Sequence, residues 1–224
     1  MTRLVIFDCD GTLVDSQNGI CAAMELAFQA CSLPPPTRAE TLSIVGLSLS
    51  EAMAVLAPTL DGRGNRRLVE AFREATIEVR AKGHEDTLYA GAAQAIADLA
   101  GRDTVLLGVA TGKSRRGVAR LFERHGWQPH FTTIQTADDN PSKPHPQMLL
   151  TAMAETGAAP HETIMIGDTS YDITMARAAG VLAIGVSWGY HPQVNLEQAG
   201  AHEIVLDFDD LGQVLARQFT RAGR

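Results

Sequence analysis

An α/β fold, a doubly wound Rossmann-like parallel sheet core with a small all-helical cap domain, is predicted by three observations. Short apolar runs alternate with helical segments from residue 92 onward, the alternation that builds a parallel sheet. A run of the same kind opens the chain at residues 3–8, and several of these runs end in Asp, Thr or Gly. Between that first run and residue 92 the pattern is helical, which marks an insert apart from the sheet. The expected division is 1–14 with 91–224 for the core and 15–90 for the cap.

Composition sets outer bounds. A chain of 224 residues can bury one larger core and a small second unit. No run approaches the roughly 20 apolar residues of a membrane span. The first residues enter a strand without a basic segment and apolar signal region, so a cytoplasmic location is expected. With 26 acidic residues against 19 Lys and Arg, the net charge of −7 argues against a nucleic-acid partner. Cys9, Cys21 and Cys31 show no Cys-x-x-Cys spacing, and structural disulfides are not expected. The seven histidines are scattered, and none is assigned to a metal.

The first strand runs into Asp8-Cys9-Asp10-Gly11-Thr12-Leu13. Carboxylates at i and i+2 fall on one side of an extended chain. One can then attack an electrophile while the other manages the proton. Alternation turns Cys9 away from both, as a small buried thiol. Gly11 and Thr12 let the backbone turn and offer amide hydrogens to an anion. Taken alone, Asp10-Gly11 is an ordinary turn pair.

Helices follow at about 17–31, 37–44, 48–57 and 64–82. Gly46 interrupts the pattern within Ile44-Val45-Gly46-Leu47-Ser48-Leu49-Ser50-Glu51, where Ser48 or Ser50 can cap the next helix. Connections near 14–17 and 88–91 are expected to flex, so that the cap opens for substrate and closes to exclude water.

Core strands are expected near 104–110, 130–135, 163–167 and 182–186, with a weaker one near 203–206. The first of these ends in Thr111-Gly112-Lys113-Ser114, a hydroxyl and free amides at a helix start that can hold a phosphate. Lys113, Arg115, Arg116 and Arg120 read together as a solvated helix face. In Ser142-Lys143-Pro144-His145-Pro146 the prolines restrict the backbone around one lysine, and Pro146 suits a first helical turn. An ammonium beside a nucleophilic carboxylate offsets the repulsion that a phosphate dianion meets. The strand at 163–167 leads to Asp168 and Asp172. A hard cation takes oxygen ligands from one or two such carboxylates, while a helix N-terminus also accommodates acids at these positions.

In order, Asp8-Cys9-Asp10-Gly11-Thr12-Leu13, Thr111-Gly112-Lys113, Lys143-Pro144-His145-Pro146 and Gly167-Asp168-Thr169-Ser170-Tyr171-Asp172 resemble the four motifs of the haloacid dehalogenase superfamily. The resemblance is to its phosphoglycolate phosphatase-like members, with a helical cap after the first motif, and covers nearly the whole chain. One departure stands at Gly112, where many such relatives carry asparagine. The resemblance implies a magnesium-dependent phosphatase that hydrolyses a small phosphomonoester, phosphoglycolate foremost, through an aspartyl-phosphate intermediate. It implies Asp8 as nucleophile, Asp10 as proton donor and acceptor, and Thr111 and Lys143 as catalytic groups on the phosphoryl oxygens. Gly11, Thr12 and Gly112 are the implied backbone contacts to substrate. Gly46 and Leu47 belong to a Gly-Leu-x-x-x-Glu loop that faces the site in capped relatives. The implied Mg2+ ligands are Asp8, the backbone carbonyl of Asp10 and Asp168, with Asp172 orienting a water or Lys143.

An acid at position 10 favours phosphoryl transfer over dehalogenation, whose enzymes resemble this chain elsewhere but lack it. A phosphosugar mutase of the β-phosphoglucomutase type and a pyrophosphatase are the alternatives within the superfamily. A receiver-type phospho-signalling protein also carries an acid cluster, but its phosphorylated Asp ends a middle strand of a chain about half this size. The expected partner is a phosphorylated small molecule, with no nucleic acid and no membrane, and the expected assembly is a monomer or homodimer.

Overall fold

The computed structural model describes residues 2–83 and 86–221. Its centre is β1 (Arg3–Phe7), in which every residue is buried, as a strand covered on both faces requires. It is flanked by β4 (Val105–Thr111) and β6 (Thr163–Gly167), with β5 (Phe131–Thr136), β7 (Leu182–Val186) and β8 (Glu203–Val205) outside them. The order β5-β4-β1-β6-β7-β8 is parallel throughout. Strand order reverses beside β1, so its carboxyl end opens into the crevice where such sheets bind ligands.

The period-2 alternation of β1 sends its side chains into two separate cores. Val5 and Phe7 pack with α5 (Ala92–Ala100), α6 (Arg115–His125) and α10 (Phe208–Arg221). Leu4 and Ile6 pack with α7 (Gln147–Thr156) and α8 (Ser170–Ala179). Each of these four side chains contributes about 1.5–3 kcal/mol by burial. Cys9 lies in the first core as expected, and burial raises its thiol pKa. The short α9 (Gln193–Gln198) precedes β8.

A helical layer stands over the carboxyl edge. It comprises α1 (Gln17–Ala30), α2 (Arg38–Ser43), α3 (Leu49–Leu56) and α4 (Gly62–Ala81). Met24, Phe28, Met53 and Leu68 give it a hydrophobic cluster distinct from both sheet cores. Ser48 caps α3 by accepting from the Glu51 amide, as its position predicts. The two connections expected to flex are paired with each other. β2 (Val14–Asp15) and β3 (Thr87–Leu88) form an antiparallel ribbon, and the Tyr89 amide bonds the Leu13 carbonyl. Such short runs carry too little pattern to read as strands, and their pairing satisfies backbone groups that a free linker would leave to water. No helix among the described residues is long and apolar enough to cross a membrane.

Candidate active site

Asp8 sits one residue beyond β1, its amide bonded to the Ile166 carbonyl, so the sheet itself fixes where its side chain points. The carboxylate is buried, and neither oxygen receives an aligned hydrogen bond. Lys143 Nζ stands 3.0 Å from Oδ1. Burial pushes the Asp8 carboxyl up to about 6, against the Lys143 ammonium that draws it down.

Lys143 is fully buried and donates to Asp172 Oδ1 at 2.6 Å. Burial alone would lower its pKa; Asp172 and Asp8 reverse this and hold it above the ordinary lysine value. Asp172 has two tasks because of its helical position. Oδ2 accepts from the Thr169 amide and hydroxyl in a capping box at the start of α8, while Oδ1 holds Lys143. The helix-terminal role and the lysine-orienting role are both present, one oxygen each.

Asp168 follows β6. Oδ1 accepts from the Thr12 hydroxyl and Oδ2 from the Tyr190 amide, each at 2.9 Å. Burial, then Asp172 and Asp8, hold its carboxyl well above the usual range. Carboxylate oxygens of Asp8, Asp168 and Asp172 lie within 4.8 Å of one another. Three buried acids facing one buried ammonium, with neither Asp8 oxygen in an aligned hydrogen bond, form an all-oxygen donor set suited to a hard divalent cation. Asp10 turns its carboxylate elsewhere, so only its backbone carbonyl remains for the ligand role implied for it.

Gly11 and Thr12 depart from expectation. The Gly11 amide bonds the Val14 carbonyl and the Thr12 amide bonds the Cys9 carbonyl, so neither is offered to an anion. The loop closes tightly enough to satisfy them internally. Gly11 is required by shape: its φ is +86°, and a Cβ would fall 2.1 Å from Asp168 Oδ2. Thr12 serves the site by orienting Asp168. The amides of Cys9 and Asp10 make no backbone hydrogen bond among the described residues.

Asp10 Oδ1 accepts from Ser16 Oγ at 2.7 Å and from Lys113 Nζ at 2.6 Å. Lys113 also contacts Asp86 at 3.3 Å, and its side chain is only 10% exposed. Against burial, Asp10 and Asp86 hold its pKa above the ordinary value. The expectation that Lys113 belongs to a solvated face is therefore wrong. It lies two residues beyond Thr111, and continuing the strand's period of two would have turned it inward. Arg115 is on the solvated face, paired with Asp139.

Thr111 ends β4, buried, with its hydroxyl accepting from the Lys113 amide. A Cβ on Gly112 would bring asparagine's first atom within 2.6 Å of the Leu47 carbonyl and 2.7 Å of the Gly46 carbonyl. The loop between α2 and α3 thus seats its backbone where relatives carry a side chain. The loop is tied down at both ends. The Ser43 carbonyl accepts from Tyr171 Oη and from His191 Nε2, each at 3.1 Å, and the Ser48 amide donates to Ser142 Oγ at 2.7 Å. Because His191 Nδ1 accepts from the Ser170 amide, Nε2 carries the proton. Asp8, Asp10, Gly46, Leu47, Thr111 and Gly112 line one cavity of about 600 Å³ between the sheet edge and the helical layer.

A parallel sheet thus gathers buried carboxylates at its carboxyl edge, under a helical layer. The family model described as "Haloacid dehalogenase-like hydrolase" matches residues 5–186. A protein of Dickeya dadantii named "Probable phosphatase IndB" is 38% identical over 218 residues, spanning 94% of this chain and 92% of that protein. A "Phosphoglycolate phosphatase" of Photorhabdus laumondii is 28% identical over 218 residues, spanning 93% and 90%. A crystal structure of a hydrolase from Pseudomonas syringae superposes with a TM-score of 0.85 at 25% identity, covering 97% of this chain and 99% of the other. The chain belongs to the haloacid dehalogenase-like hydrolase family, as an enzyme of its phosphatase branch.

Proposed function

We propose that this enzyme is a magnesium-dependent phosphatase that hydrolyses a small phosphomonoester through an aspartyl-phosphate on Asp8. The observation that carries this reading is the Asp8 carboxylate, buried with the Lys143 ammonium 3.0 Å from one oxygen and no aligned hydrogen bond to either. An Asp8 oxygen attacks phosphorus and the bond from phosphorus to the alcohol oxygen breaks, while Asp10 gives that oxygen its proton. Asp10 then takes a proton from water, which attacks the same phosphorus. The bond to Asp8 breaks, returning its carboxylate and releasing inorganic phosphate.

Lys143, Thr111 and the Cys9 and Asp10 amides hold the phosphoryl oxygens. Asp8, Asp168 and the Asp10 carbonyl would hold Mg2+, which when bound supplies positive charge against those oxygens. Residues 15–90 act as the cap that keeps bulk water from the intermediate, with Gly46 and Leu47 facing the leaving alcohol. Phosphoglycolate heads the substrates to be tried, in keeping with the name of the Photorhabdus relative.

The test is phosphate release from a panel of phosphomonoesters, with pyrophosphate and a bisphosphorylated sugar included, with Mg2+ or EDTA. Wild type is expected to release phosphate only with Mg2+, and Asp8→Asn to release none. Turnover that survives in Asp8→Asn overturns the mechanism, and turnover that requires a bisphosphorylated sugar replaces phosphatase with mutase.

A further inference from the structure

The cavity over Asp8 has two chemically different ends, and the reaction uses only one. At the catalytic end, each acid has a cation or a proposed metal to face. Away from it, the wall formed by α4 presents Val69, Phe72, Thr76, Ile77 and Arg80, spaced so that one helical face looks inward. Ile77 is 56% exposed, an apolar side chain left open on this wall. Across from it, α6 presents Arg116 and Arg120 at i and i+4, again one face.

Arg80, Arg116 and Arg120 are drawn from both sides of the cavity, yet none makes an ion pair or side-chain hydrogen bond among the described residues. They are close enough that Arg80 and Arg116, after burial, lower the pKa of Arg120. The acids nearby are already engaged: Asp86 contacts Lys113, and Asp138 accepts from the Arg115 amide. Arg116 and Arg120 are exposed, Arg80 is half-buried, and Asp86 partly offsets their charge at Arg120, so an anion entering the cavity from solvent meets three guanidinium groups not committed to ion pairs. The cavity, open to solvent along its arginine side, has a volume of about 600 Å³, that of a site for a drug-sized ligand and more than a two-carbon acid fills.

We infer that the substrate's alcohol portion has an apolar body lying along α4 and ends in a second anionic group held by Arg80, Arg116 and Arg120. This rests on the phosphatase function proposed above and adds a specificity site to it. A carboxylate and a second phosphate share the required chemistry.

Three esters of equal chain length separate the possibilities: hexyl phosphate, 6-phosphonooxyhexanoate and hexane-1,6-diyl bisphosphate. In wild type, kcat/KM for at least one anionic-tailed ester is expected to exceed that for hexyl phosphate by about tenfold or more, mainly through KM. Whichever tail is preferred names the anion. In Arg116→Ala/Arg120→Ala, and separately in Arg80→Ala, that ratio is expected to fall toward one. Hydrolysis of hexyl phosphate with no preference for either charged tail overturns the inference and leaves the phosphatase reading standing. A preference that survives in both variants also overturns it. Failure of wild type to release phosphate from any ester at all counts instead against the phosphatase function itself.

Discussion

Lys113 changes the account of Asp10 from a free carboxylate to one half of an enclosed ion pair. A group that must give a proton to the leaving alcohol and later take one from water needs both a fixed direction and a controlled charge. Ser16 Oγ at 2.7 Å and Lys113 Nζ at 2.6 Å supply the direction, and the ammonium places a positive charge beside the carboxylate. Lys113→Met keeps much of the side-chain volume and removes the charge. It is expected to lower kcat by about tenfold or more while changing KM less, since the loss falls on the proton-transferring group. Steady-state kinetics on one phosphomonoester checks this; an unchanged kcat would reduce Lys113 to a structural contact. Asp8, Asp168 and Asp172 were legible because acids next to buried strand ends are costly unless used. Lys113 was not, because a lysine followed by arginines has the composition of a surface helix and only its register against Thr111 distinguishes it. The amides of Gly11 and Thr12 were misjudged for a related reason, since which hydrogen bonds a loop closes on itself depends on its path and not on its residue types.

The loop joining α2 to α3 is the element that couples cover to core. Its glycine at 46 and the missing side chain at Gly112 let two backbones meet, a contact that neither segment's sequence announces by itself. His191 fastens the loop in one protonation state. Nδ1 must accept from the Ser170 amide while Nε2 donates to the Ser43 carbonyl, and burial lowers the ring's pKa below 6.5 despite opposing pulls from Ser43 and Asp172. A base whose folded pKa is depressed is neutral in the native state where the unfolded chain would bind a proton. Its contribution is therefore complete above about pH 6.5 and is lost as pH falls toward the depressed value. Thermal melts from pH 7.5 to 5 are expected to show a steeper fall in Tm for wild type than for His191→Gln. His125 and His202, whose pKa values are also lowered, act equally in both proteins and cancel in the comparison. Parallel curves would show that the loop is held without regard to the state of His191.

At the scale of the molecule, the sheet was legible because β1, β4, β6 and β7 are largely apolar runs, and a run buried on both faces admits few alternatives to a parallel strand. Placing four such ends beside one another follows from the order β5-β4-β1-β6-β7-β8, which brings the segments after β1, β4, β5 and β6 to one edge. The β2–β3 ribbon escaped because two residues a side leave no periodicity. That same convergence concentrates negative charge. Asp8 follows β1 while Asp168 and Asp172 share the junction of β6 with α8, and the three meet within 4.8 Å with Lys143 as their buried counter-ion. Folding must bring these charges together, so a cation that binds only the assembled cluster stabilises the whole chain by mass action. At a hundred times its dissociation constant a ligand adds about 2.7 kcal/mol, which for a chain of this size is a rise in Tm of about 5 °C or more. Mg2+ is expected to produce such a rise in wild type, and EDTA to reverse it. Asp168→Asn should melt at a temperature that Mg2+ leaves nearly unchanged, because one of the charges that draws the ion is gone, while its amide oxygen can still accept from the Tyr190 amide and its amide nitrogen can donate to the Thr12 hydroxyl. A wild-type Tm indifferent to millimolar Mg2+, measured in the buffer used for phosphate release, would remove the cation from this cluster and leave Lys143 as the buried positive charge opposite Asp8.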